Sequence, residues 1–153
     1  MKLLKRRYKG LSAAELQEKC RSIFFSDYVS NNGDIKTTDG KFVYFREYIF
    51  DHAFSKEKNG IRQFVYSRAR KIDWIRPVIE ESTEDVTVLK KDITQKEPGK
   101  KKQYQRLYYI PEKKYLVVLE WNGASKKDLK FITHYTIDER WMLAKIKETF
   151  GLP

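Results

Sequence analysis

RLYYIPEKKYLVVLEWNGASKKDLKFITHYTID, residues 106–138, holds the runs whose pairing decides the fold. Tyr104–Ile110, Tyr115–Trp121 and Phe131–Ile137 are rich in aromatic and β-branched residues and are separated by turn formers, as strands are. The Pro111–Lys114 link is short enough for a hairpin, and so is Asn122–Asp128, which makes an antiparallel meander the natural arrangement. Its last strand is unusually polar. Thr133, His134, Tyr135 and Thr136 all carry hydrogen-bonding groups where a strand that only filled a core would use Val and Ile. One face of this strand is therefore expected to border a cleft.

Upstream, Val86–Lys90 reads as a fourth strand, followed by the loop KKDITQKEPGKKK (90–102) with six lysines. That loop is a solvated, mobile connection or, against nucleic acid, a phosphate grip. Before it the periodicity is helical. Phe64, Val65, Ala69, Ile72 and Ile75 predict a helix from Ile61 to about Asp73, and Pro77 suits the first turn of a second one, where a missing N–H costs nothing. A short helix over Arg46–Ser55 carries Phe50, Ala53 and Phe54 inward, with His52 near its end, and Lys58-Asn59-Gly60 breaks it. Nearer the start, Ser12 with Glu15 forms a capping box and Leu11 with Leu16 a staple. Asp39-Gly40 signals a type I′ hairpin. Downstream, Asp138 is placed to cap a last helix bearing Met142, Leu143, Ile146 and Phe150, which Gly151 and Pro153 stop.

The expected class is thus α+β, helices followed by a four-stranded antiparallel sheet. Residues 1–45 form an N-terminal helix-and-hairpin extension packed on a core of 46–153, and a C-terminal helix closes the chain. At 153 residues one compact unit is the default. The formal charge of +11, from 32 Lys and Arg against 21 Asp and Glu, favours a polyanionic partner: nucleic acid, an anionic membrane or an acidic protein. Cys20 is the only cysteine, which excludes an intrachain disulfide, and it reads as a buried helix filler. The basic start MKLLKRRYKG is not followed by an apolar run and no stretch reaches transmembrane length, so a cytoplasmic protein is expected, with no membrane partner. Two histidines and one cysteine far apart make no recognisable zinc site, and no glycine-rich phosphate loop is present, so neither a metal nor a cofactor is expected.

The order DHAF (51–54), IRQFVYSRARKIDWIRPVIEE (61–81), RLYYI, YLVVLEW and FITHYT resembles the barnase, EndoU, colicin and RelE group of small ribonucleases, especially its phage-associated branch. The resemblance covers about 90 residues and is carried by a pattern rather than a strict signature. It implies two helices before a four-stranded antiparallel sheet, and RNA cleavage without a metal. It also implies RNA as the partner, transfer or messenger RNA among the candidates, and an acidic inhibitor of the antitoxin kind. By the resemblance, His52 matches the helix histidine, Arg62 and Arg68 the basic positions after it, and Thr133 with Tyr135 the hydroxyl pair of the final strand. The chemistry is attack of a ribose 2′-hydroxyl on the adjacent phosphate. It needs a base, an acid and positive charge on the phosphoryl oxygens, for which histidine and arginine are suited.

Strand alternation puts Phe131, Thr133, Tyr135 and Ile137 on one face and Ile132, His134 and Thr136 on the other. His134 and Tyr135 therefore cannot both face one cleft; the Thr133 and Tyr135 face is preferred, with His134 as the alternative. Arg106 and Tyr108 share a face of their strand that can add to the cleft, and Arg70, Lys100, Lys101 and Lys102 are further RNA-binding candidates. Each residue has a plainer reading too. His52 can bond a nearby carbonyl, the arginines of 62–70 can pair with Asp73 or Glu80, and Tyr108, Tyr109, Tyr115 and Trp121 can be sheet packing around a core Trp74. With those plainer readings the basic surface belongs to a non-catalytic RNA-binding or protein-interaction module.

Overall fold

The computed structural model describes residues 1–123 and 126–153; Ala124 and Ser125, inside the expected Asn122–Asp128 link, lie outside them. In chain order the elements are α1 (Ala13–Phe24), continued by a π-helical turn to Val29, β1 (Val43–Tyr44), α2 (Phe50–Phe54), β2 (Ser55–Lys58), β3 (Ile61–Phe64), α3 (Tyr66–Arg70), α4 (Ile75–Ile79), β4 (Leu89–Gln95), β5 (Gln103–Ile110), β6 (Tyr115–Trp121), β7 (Leu129–Thr136) and α5 (Arg140–Thr149). The class is α+β. β4, β5, β6 and β7 form an antiparallel meander, and β1 adds a fifth strand, parallel to β7, so the sheet is mixed with order β1-β7-β6-β5-β4.

The sheet is covered on both faces. On one side Tyr108, Ile110, Tyr115, Val117, Leu119 and Phe131 pack against α1 to α4, including Phe24, Phe45, Phe50 and Phe54. Phe24 and Phe45 lie 6.0 and 5.0 Å from Phe131, centroid to centroid, so segments before residue 46 share one aromatic core with the meander. On the other side Leu107, Tyr109, Leu116 and Val118 meet Ile146, Met142, Leu143 and Phe150 of α5. The face expected to be open is therefore roofed in large part by the C-terminal helix.

Several local readings give way to different physics. Ile61–Phe64 is a strand rather than the start of a helix, because Asn59 and Gly60 both take positive φ (53° and 77°) and close a two-residue hairpin with Lys58 opposite Ile61. Helical periodicity survives only in α3 and α4; Pro77 does sit in the first turn of α4. The fourth strand runs Leu89–Gln95 instead of Val86–Lys90, so half of the expected lysine loop is an edge strand. Leu89 and Ile93 point to α5, and charged Lys90 and Asp92 alternate with them, a composition that discourages edge-to-edge pairing. At Asp39-Gly40 only Gly40 has positive φ (83°). Gly40 N–H donates to Thr37 O at 3.0 Å, giving a tight turn with a left-handed glycine and a single Lys36–Phe42 bridge instead of a type I′ hairpin. Glu139, not Asp138, occupies the N-cap of α5. The Ser12–Glu15 capping box is present with both bonds at 3.2 Å.

Strict alternation fails once on β7. Val118 pairs with Thr133 but Leu119 pairs with Phe131, leaving Ile132 as an extra, bulged residue. The bulge reverses parity, so Phe131, expected beside Thr133 and Tyr135, instead shares with His134 the face packed by α1 to α4, while Thr133 and Tyr135 lie on the face roofed by α5.

Candidate active site at the free edge of β7

β1 pairs with β7 only at Leu129 and Lys130, so among the described residues no strand lies beside this edge from Phe131 onward. α2, α3 and the β2–β3 hairpin gather there. α2 buries Phe50, Ala53 and Phe54 and leaves Asp51 and His52 outward, with Asp51 held by Arg21 at 2.9 Å. The hairpin folds back so that Val65 N–H donates to Phe54 O at 2.8 Å. Arg62 faces Glu57 across it, 4.0 Å apart and exposed, a weak pair. Arg68 of α3 clamps the turn from α2 into β2, its Nη1 donating to Ser55 O at 2.8 Å and Ala53 O at 3.3 Å. Its Cζ lies 5.2 Å from the centre of the Tyr135 ring, so the guanidinium reaches round the strand edge onto the aromatic face.

The electrostatics sort these groups by protonation state. Partial burial, and then the Arg62 and Arg68 charges, hold His52 below the ordinary histidine pKa, so its imidazole is neutral at pH 7. Burial pushes the Tyr135 phenol above its ordinary value, opposed in part by Arg68, so it keeps its proton. Burial lowers Arg68, with Tyr135 opposing, yet a guanidinium remains charged throughout the physiological range. Beside them opens a pocket of about 270 Å³ lined by Lys56, Arg68, Tyr135, Thr136, Asp138 and Glu139 among others.

Of the residues expected from sequence, Arg68 and Tyr135 meet at this edge and line the pocket, whereas His52 and Arg62 do not line it and are linked to Arg68 only through the field of its charge. Thr133 shares Tyr135's face but is buried opposite Val118 and does not line the pocket. His134 is fully buried on the helix side. Its Nδ1 lies 2.6 Å from the Tyr115 hydroxyl, its ring meets Phe54 edge-on at 4.8 Å, and burial drives its pKa well below normal. It is a core residue, which removes the alternative placement on the cleft.

Arg106 and Tyr108 do not join the site, since they lie on the face packed by α1 to α4, away from Tyr135. Arg106 is 5% exposed and saturated with carboxylates. It donates to Asp39 at 2.7 and 2.9 Å and to Asp92 at 2.8 and 3.2 Å, and it stacks over Trp121. This hub ties the Thr37–Lys41 turn to the sheet. Lys100, Lys101 and Lys102 sit at the opposite end of the meander. Tyr135 is level with Leu116 and Tyr109, and from Tyr109 to Gln103 the strand runs six residues, about 20 Å. Lys100 also pairs with Glu97 at 2.9 Å. Arg70 lines a different cleft with Lys71.

Lys56 and Lys71 were not legible as site residues. Lys56 reads as hairpin polarity, and Lys71 stands among three other cations, Arg68, Arg70 and Arg76; nothing in its spacing marks the one that is buried. Comparison with protein-family models, with curated proteins and with solved structures gives no match. Among the described residues no helix is long and apolar enough to cross a membrane.

Proposed function

We propose that the chain is a metal-independent endoribonuclease of the barnase, EndoU, colicin and RelE kind, acting on RNA as a toxin or phage-encoded effector in the cytoplasm. The observation that carries the reading is Arg68 within 5.2 Å of Tyr135, with the neutral His52 imidazole in the field of the same guanidinium. His52 accepts the 2′-hydroxyl proton as the 2′-oxygen–phosphorus bond forms. Tyr135 gives its phenolic proton to the 5′-oxygen as the phosphorus–5′-oxygen bond breaks, and Arg68 with Arg62 offsets the charge on the phosphoryl oxygens. The products are a 2′,3′-cyclic phosphate and a free 5′-hydroxyl. An acidic inhibitor protein covering the same edge is the natural partner for such an enzyme.

The test is total RNA incubated in EDTA with the wild type, Arg68→Ala and His52→Ala. RNA cut by the wild type to ends carrying a cyclic phosphate, with both variants down about 10²–10³-fold, supports the proposal. RNA intact in every lane, with salt-sensitive binding retained, favours instead a non-catalytic RNA-binding module, the reading that the +11 charge supports by itself.

A further inference from the structure

A second cleft, about 630 Å³, lies between the N-terminal segment, the α3–α4 junction and the β5–β6 turn, and Thr136 lines both it and the pocket beside Arg68. Five cations line it, Lys5, Arg7, Arg70, Lys71 and Lys113, and no carboxylate does. Among the described residues none of the five takes part in an ion pair. By contrast, the groove of about 650 Å³ along α1 mixes its cations with Glu15 and Glu18.

Lys71 is the informative member. It is 8% exposed, its Nζ hydrogen-bonds the Thr136 hydroxyl, and it lies 5.5 Å from the Trp74 ring centre. Burial, with Lys5 and Arg70 adding to it, depresses its pKa. A buried ammonium with only a hydroxyl and an indole face for company is costly, and an arriving anion removes that cost. Two further donors in the wall lack acceptors: the Arg70 Nε and the indole Nε1 of Trp74, which is 3% exposed.

We propose that this cleft is a subsite for the RNA backbone, holding the phosphate next to the one cut at the Arg68–Tyr135 edge, with Lys71 and Arg70 as its main contacts. The proposal rests on the RNA reading above, and Thr136, common to both pockets, is where the strand passes from one to the other. A seated phosphate gives the Lys71 ammonium the counter-charge that the wall of the cleft lacks, and Lys113 and Arg7 at the rim draw the strand in.

The experiment is binding of a fluorescent 2′-O-methyl hexanucleotide, which 2′-hydroxyl chemistry cannot cut, across a salt series. Wild type is compared with Lys71→Met, Arg70→Gln and the exposed Lys113→Gln, with polyglutamate as a competitor. Each substitution is expected to weaken binding about tenfold at low salt and to reduce the salt slope by about 0.7, one phosphate's worth on a single strand. Lys71→Met is also expected to leave the melting temperature of the free protein unchanged or higher, since it removes an uncompensated charge. Wild-type affinity and slope in all three variants overturn the proposal, and so does a loss confined to polyglutamate, which assigns the cleft to an acidic protein. Lys71-dependent binding with no cleavage of ordinary RNA keeps the subsite and removes the nuclease; cleavage with no Lys71 dependence does the reverse.

Discussion

Replacing Arg106 by Ala is expected to destabilise the fold in a way that fades with acid. The side chain joins two carboxylates from distant parts of the chain, Asp39 in the early turn and Asp92 on β4, through four hydrogen bonds of 2.7–3.2 Å. Deleting one partner of a buried ionic group costs about 3–5 kcal/mol, because the charge left behind is uncompensated. Here the Asp39 and Asp92 side chains are each 40% exposed, so water screens what remains and the expected loss is about 2–3 kcal/mol. For a chain of this size that is about 5–10 °C in melting temperature.

The pH dependence follows from the same bonds. Arg106 holds Asp39 well below the usual carboxylate range, and it keeps Asp92 below it as well against the opposing effect of burial. A depressed folded pKa contributes stability that is fully present above the unfolded value of about 3.9 and is lost as pH falls through the folded one. The wild type carries this contribution and Arg106→Ala does not. Urea denaturation at pH 7, 5 and 3 is therefore expected to show the full gap at pH 7, nearly all of it at pH 5, and a clearly smaller one at pH 3. An equal gap at all three would refute the ionic account and assign the loss to packing against Trp121.

Other consequences are equally open to measurement. Arg68→Lys keeps the charge but loses the fork that holds the Ala53 and Ser55 carbonyls, and Tyr135→Phe loses the proton donor; each is expected to lower cleavage about 10²-fold or more with the fold intact by circular dichroism. In the pH–rate profile the acid limb assigned to His52 falls below about 6.5, because burial and Arg62 with Arg68 lower its pKa. His134 is expected to stay neutral by NMR from pH 8 to 5. Since the unfolded chain takes a proton there that the folded one refuses, stability drops below about pH 6.5 by up to about 1.4 kcal/mol per unit, and His134→Gln flattens that slope. Gly60→Ala places a side chain at φ 77° and is expected to cost about 1–2 kcal/mol, read as a lower denaturation midpoint.

The meander and its partners were legible because aromatic and β-branched runs alternate with short links, and α1 because its capping box is explicit. Ile61–Phe64 is a strand where the apolar spacing predicts a helix, because Asn59-Gly60 is not only a helix breaker but a left-handed pair, the strongest short-range hairpin signal. The Leu89–Gln95 strand was hidden by its lysines, which serve the edge of the sheet. On β7, sequence alternation rightly puts Thr133 beside Tyr135 but also puts Phe131 there, because the bulge at Ile132 that turns Phe131 to the other face depends on the neighbouring strand. The same limit applies to the site. The family resemblance points to His52, Arg62, Arg68, Thr133 and Tyr135, whereas only tertiary packing distinguishes the saturated Arg106 from the uncompensated Lys71.

The central claim, that the β7 edge cuts RNA through its own 2′-hydroxyl, is tested most directly by single-turnover assay of a short RNA in EDTA beside the same strand carrying one 2′-deoxy sugar at the cut position. The account predicts cleavage of the first to a cyclic phosphate and no cut at the modified position in the second. Equal cleavage of both, or of neither, would contradict it.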